Sequence, residues 1–130
     1  MSDRELRWMV HLATLVTLLA LLANAMRVHA QEEDASYVYT AADTLAAIDQ
    51  ASVAHGVSWR WLYSIVRCES QLDPYAVGRR GELGAAQLAP WGELRRFYAR
   101  GFSNPYSPYQ AVAFLAQRLN EGGARAWACA

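Results

Sequence analysis

The chain has 130 residues, 54% of them apolar, which is enough for one packed domain and too apolar for global disorder. Twelve basic residues, all arginine, balance twelve acidic ones, so the formal net charge is zero. Adjacent arginines occur only at Arg79-Arg80 and Arg95-Arg96, and no basic stripe marks a nucleic-acid surface.

The first segment is a unit of its own. Arg4 and Arg7 precede the apolar run from Val10 to Leu22, and small residues follow at Ala23, Ala25 and Ala30. This is the layout of a signal peptide over residues 1–30, with cleavage after Ala25 or Ala30. The alternative is an uncleaved membrane anchor from Trp8 to Met26, interrupted by His11 and Asn24. Both place the remainder outside the cytoplasm, exported to the cell envelope or secreted.

Residues 31–42 read as a linker, acidic and then aromatic, with no helical period. The domain proper is expected over 43–130. Thr40-Ala-Ala-Asp43 has the form of a capping box. A helix should follow with Leu45, Ile48 and Val53 inward, ending at Gly56. Ser58 is placed to cap a second helix, Trp59 to about Glu69. Its inner stripe is Leu62, Ile65, Val66 and Glu69, at i, i+3, i+4 and i+7. Asp73-Pro74 prevents continuation.

Val77 to Pro90 is a glycine-punctuated turn leading into a short apolar segment. Trp91 to Arg100 predicts another helix with Leu94 and Phe97 inward. Asn104 to Pro108 is a loop. Ser107, Pro108 and Gln110 then form the start of a last helix, a second capping box with proline at the first position. Val112, Leu115 and Leu119 make its stripe, and Gly122-Gly123 ends it. No stretch has a convincing strand period. The fold class is all-α, a small domain of four or five helices.

Cys68 and Cys129 are an even count in an exported chain and predict a disulfide, the alternative being two unrelated buried thiols. A loop of about 60 residues would be closed, worth about 4 kcal/mol by chain-entropy reasoning. A metal site is not expected. His11 and His29 lie in or beside the leader, which leaves His55 with two cysteines. No phosphate-cradling loop appears. Glu69 stands out instead, because a carboxylate on an apolar stripe must be paired, neutralised or useful. Burial and the negative end of the helix dipole both favour its protonated form, as a general acid requires. The competing reading pairs it with Arg67 or Arg79.

The stretch "ESQLDPYAVGRRGELGAAQLAP" resembles the catalytic signature of soluble-type (SLT) lytic transglycosylases. Glu69-Ser70 corresponds to the Glu-Ser that ends the family's apolar helix. Gly81 to Leu88 corresponds to its Gly-x-x-Gly-x-x-Gln segment with a following apolar residue, and Pro90 to the nearby proline. "NPYSPYQAVAFLAQRL" is similar to a later family element, and the likeness spans roughly Leu45 to Leu119. The resemblance implies a lysozyme-like all-α fold. It also implies cleavage of the MurNAc–GlcNAc β-1,4 bond of peptidoglycan, without a cofactor, to give a 1,6-anhydromuramoyl end. In that scheme Glu69 is the single catalytic acid and base. Ser70, Gln87, Gly84, Tyr106, Tyr109 and Phe114 would line the substrate groove. The expected partner is the glycan strand, met by a monomer that the N-terminal segment could hold at the membrane.

Two departures bear on activity. The family's later helix commonly carries a tyrosine that hydrogen-bonds the acid, and Phe114 stands at the matching position, so Tyr106 or Tyr109 would have to serve. The domain is also short, so the groove would hold few sugars. A second carboxylate, as glycosidases use, would have to come from Asp73, Glu82 or Glu93. Asp73 reads as a turn former and Glu82 as solvated. Goose-type lysozymes, which hydrolyse, carry an Asp two residues after the matching Gln, where this chain has Ala89. The alternatives are an inactive wall-binding module and a hydrolysing muramidase of the same fold.

Overall fold

A computed structural model describes residues 1–31 and 36–130. The chain forms two compact units, Met1–Tyr37 and Val38–Ala130. The first is one helix, α1 (Asp3–Gln31), of 29 residues. Within it Asp3–Ala23 has mean hydropathy 1.8 and is long enough to cross a bilayer. Backbone helix continues through both expected cleavage points. Residues 32–35 of the expected linker lie outside the described residues.

The second unit is built from α2 (Ala41–His55), α3 (Trp59–Ser70), α4 (Glu93–Ala99) and α5 (Pro108–Asn120), with a closing 3₁₀ turn at Gly123–Ala126. Among the described residues the extended structure is limited to isolated bridges, Val77 to Leu83 and Leu83 to Leu88. The unit begins earlier than the sequence suggested. Tyr39 is buried, its N–H donates to the Tyr75 hydroxyl at 3.0 Å, and its ring meets Tyr75 and Tyr109. Residues 38–42 are therefore part of the packed unit and not linker.

The capping box at α2 forms as read. Asp43 N–H donates to Thr40 Oγ1 at 3.4 Å, and Thr40 N–H donates to Asp43 Oδ2 at 2.8 Å. The inward face of α2 keeps Ile48 and otherwise differs from the expected one. Thr44, Ala47, Ile48 and Ala51 are buried, whereas Leu45 and Val53 are exposed. Those four positions share one helical face, and the small side chains of Thr44, Ala47 and Ala51 let α5, the main partner of α2, approach closely. Thr44 is tolerated there because its hydroxyl donates to Thr40 O at 3.4 Å.

In α3, Leu62, Ile65 and Val66 are fully buried. Ser58 occupies the N-cap position without a capping side-chain bond. The helix ends because Gln71 and Leu72 adopt left-handed backbone, φ 55° and 68°. Asp73 then accepts from Tyr75 N–H at 2.9 Å, the turn its sequence predicts.

Helix α4 is shorter than Trp91–Arg100, because residues 89–92 form a turn in which Gly92 and Leu94 N–H both donate to Ala89 O. At α5, Ser107 Oγ accepts from Gln110 N–H at 3.4 Å. The Gln110 carboxamide oxygen accepts from Ser103 and Asn104 N–H, at 2.8 and 3.1 Å, and so braces the preceding loop. The core gathers Ile48, Leu62, Ile65, Val66, Leu88, Phe97, Phe114 and Leu115.

Candidate functional site

Glu69 sits in the last turn of α3, half-buried, where the apolar stripe of that helix meets the surface. Burial pushes its carboxyl above the usual carboxylate range. The Cys129 N–H, donating to Oε1 at 3.3 Å, acts in the opposite direction, and the charge of Glu82 adds to the rise. Among the described residues Glu69 forms no ion pair, with Arg67, Arg79 or any other cation. The Arg67 guanidinium lies instead over the Tyr63 ring, 5.9 Å from its centroid.

Glu82 is placed differently from the solvated position expected. Its side chain is only 15% exposed and pairs with Arg80 Nε at 3.1 Å. It is held below the usual range, first by its own backbone N–H and then by the N–H and guanidinium of Arg80. Two carboxylates that act on each other are thus pushed apart, Glu69 toward the acid form and Glu82 toward the anion. Sequence inspection missed this, because an acid between turn residues reads as solvated, and only the folded turn, closed by the Gly78 N–H to Glu82 O bond, shows it facing inward.

The loop from Gly78 to Leu88 carries that turn. A Cβ on Gly78 would overlap Glu82 Oε2 and lie 2.7 Å from Gln87 Oε1, so glycine leaves room for both oxygens to converge. Gln87 has φ 47°, and its Nε2 donates to Ala76 O and Gly84 O at 3.1 and 2.9 Å. Its amide nitrogen is thereby used in shaping the loop, while its oxygen faces Gly78. Gly84, with φ 75°, packs so closely that a Cβ would overlap the Pro105 carbonyl oxygen. This contact joins the two motif loops.

Beyond Pro105 runs a chain of tyrosines. Tyr106 packs against Tyr75 at 5.8 Å between centroids, Tyr75 against Tyr39, and Tyr39 against Tyr109. The Tyr109 hydroxyl donates to Asp43 Oδ1 at 3.1 Å. Tyr39 and Tyr75 were not anticipated in this cluster.

Two of the residues expected in the groove have buried side chains. Ser70 is buried and its hydroxyl donates to Val66 O at 3.0 Å, ordinary back-bonding within a helix. Phe114 is fully buried between Phe97 and Phe102, edge-on to both. Of the other carboxylates, Asp73 is the turn former described above. Glu93 is buried in a structural ion pair with Arg118 at 2.8 Å and Arg96 at 3.0 Å. Among the described residues no three His, Cys, Asp or Glu side chains cluster as metal ligands.

The Cys68–Cys129 disulfide, 6.0 Å between Cα atoms, ties the C-terminal tail to the residue before Glu69. Trp127 is buried and its indole N–H donates to Ala86 O at 2.7 Å. A cavity of about 650 Å³ lies on the adjacent flank of α3, lined by Tyr63, Ser64, Arg67, Cys68, Gln71 and Leu72, and does not include Glu69.

Compared with known proteins, residues 46–130, more than half of the chain, match the model of the family described as transglycosylase SLT domain. No curated protein sequence matches the chain.

Proposed function

We propose, since the chain belongs to the transglycosylase SLT domain family, that it is an exported lytic transglycosylase acting on peptidoglycan glycan strands. Glu69 is its catalytic residue. The observation that carries this reading is the state of Glu69: a half-buried carboxyl, without a cationic partner among the described residues, raised by burial, at the end of the motif helix. Such a group is shifted toward the protonated form that a general acid needs.

In the proposed reaction Glu69 protonates the glycosidic oxygen between MurNAc and GlcNAc as the C1–O bond breaks. The resulting carboxylate then takes the proton of the muramoyl O6 hydroxyl while O6 bonds to C1. One C–O bond is broken and one is formed, the proton returns to Glu69, and no water is consumed. Glu82, held anionic, acts through its charge on Glu69, which it shifts further toward the acid form. In this reading the joined motif loops, through the Gly84–Pro105 contact, and the Tyr106–Tyr75 pair would contribute to the glycan-binding groove. The apolar helix α1 is compatible with a signal or an anchor, and in this reading it delivers a monomer to the envelope.

A second reading is hydrolysis, supported by the ionised carboxylate of Glu82 near Glu69. A third is a wall-binding module without activity, supported by the core position of Phe114. Mass spectrometry of peptidoglycan digested by the protein separates the three. Anhydro ends are expected; reducing ends establish hydrolysis, and binding without release establishes the inactive module.

A further inference from the structure

We infer that the backbone N–H of Cys129, presented by the C-terminal tail, is the positioning group for the Glu69 carboxyl. The inference rests on the reading of Glu69 as the acid. Among the described residues, the bond from Cys129 N to Glu69 Oε1, 3.3 Å, is the one hydrogen bond made to that side chain.

Neighbouring donors are committed elsewhere. Ser70 Oγ bonds Val66 O, the Arg67 guanidinium lies on Tyr63, and Gln87 Nε2 bonds Ala76 and Gly84. The tail is also held firmly enough to position something. The disulfide fixes Cys129 to Cys68, and two residues earlier Trp127 is anchored in the Gly81–Leu88 turn through Ala86 O. The donor is therefore clamped to the catalytic helix on one side and to the motif loop on the other.

The chemistry follows from which oxygen is used. An N–H donor prefers an unprotonated acceptor, so Oε1 accepts from Cys129 and the proton resides on Oε2. Glu69 is thereby given one orientation and one oxygen for proton transfer, the kind of placement on which rates depend steeply. The charged group that acts on Glu69 is Glu82 from the loop, itself held by Arg80. On its own helix, Arg67 is turned onto Tyr63.

The test compares two double variants of the full chain in detergent micelles: Cys68→Ser/Cys129→Ala and Cys68→Ser/Cys129→Pro. Both lack the disulfide and keep Trp127; they differ in the N–H at position 129. Carbon NMR of the Glu69 carboxyl should show titration at higher pH in the proline variant, because a donor to the charged form has been lost. The alkaline limb of glycan cleavage should move the same way, with kcat lower by about tenfold or more. Identical Glu69 titration in the two variants, with the Trp127 indole N–H signal unmoved from wild type and the tail therefore still docked on Ala86, overturns the proposal. A reading without mutation protects against a misfolded proline variant. In the wild-type chain, the Cys129 amide proton should shift with the Glu69 midpoint, and an amide that stays flat through that titration overturns the proposal equally. Both titrations report the contact without glycan cleavage, so failure of the enzymatic reading shows separately in the digest.

Discussion

Glu69 concentrates the single-residue expectations. Glu69→Gln should reduce glycan cleavage to below about one per cent, since general acid–base groups contribute about 10²- to 10⁴-fold. The fold should survive, because among the described residues the carboxyl makes one hydrogen bond and no ion pair. Its folded pKa is raised, chiefly by burial, so between the unfolded and folded values the folded chain binds more protons than the unfolded one. Its effect on stability is therefore nil below the unfolded value, about 4.3, and increasingly unfavourable as pH rises past it. Melting temperatures of Glu69→Gln should match wild type at pH 4 and equal or exceed it at pH 7; a lower value confined to pH 7 would mark Glu69 as a structural anion. Gly84→Ala is a different kind of change. The new Cβ would overlap the Pro105 carbonyl oxygen at a φ of 75°, so a loss of about 2 kcal/mol or more in urea unfolding is expected.

Among the elements, α4 and α5 are joined by a polar bond inside an otherwise apolar contact. Arg118 Nε and Nη2 both donate to Glu93, at 2.8 and 3.3 Å, and Arg118 Nη1 also reaches Glu121 at 3.0 Å. Burying that charge is tolerable because it is paired. Arg118→Met should cost up to about 3 kcal/mol, less than a fully orphaned charge because Arg96 still donates to Glu93. Adding Glu93→Leu should recover much of the loss, measured as the coupling in a double-mutant cycle. The elements also show what sequence could and could not tell. The Thr40–Asp43 box and the Ser107 cap are local bonds between residues three apart, and both were readable. The face of α2 was not, because Leu45 competes with Ala47 and Ala51 for the inside, and only the approach of α5 decides between them.

Across the whole unit, the disulfide links residues 61 apart in sequence. Reduction, or Cys68→Ala/Cys129→Ala, should lower stability by about 4 kcal/mol at most, on chain-entropy grounds. Thiol counting under native conditions should give no free thiol before reduction. Activity should fall with stability, because the same bridge holds the tail that bonds Glu69 and that inserts Trp127 beside Ala86.

The amino-acid sequence by itself determined what depends on short-range order. Both ends of α2 and the start of α5 follow caps, a proline and a glycine close in the chain. The apolar stripe of α3 places Glu69 at its end through helical periodicity alone. The resemblance to the family is carried by a motif from Glu69 to Pro90, and the family match extends over residues 46–130. The tertiary structure alone decided which chemistry surrounds Glu69. It drew Glu82 inward against Arg80, sent Phe114 into the core with Phe97 and Phe102, and turned Ser70 onto its own helix. It also set the backbone of Cys129, sixty residues downstream, against the carboxyl. Contacts between distant residues depend on how several faces pack at once, and no single stretch of sequence carries that information.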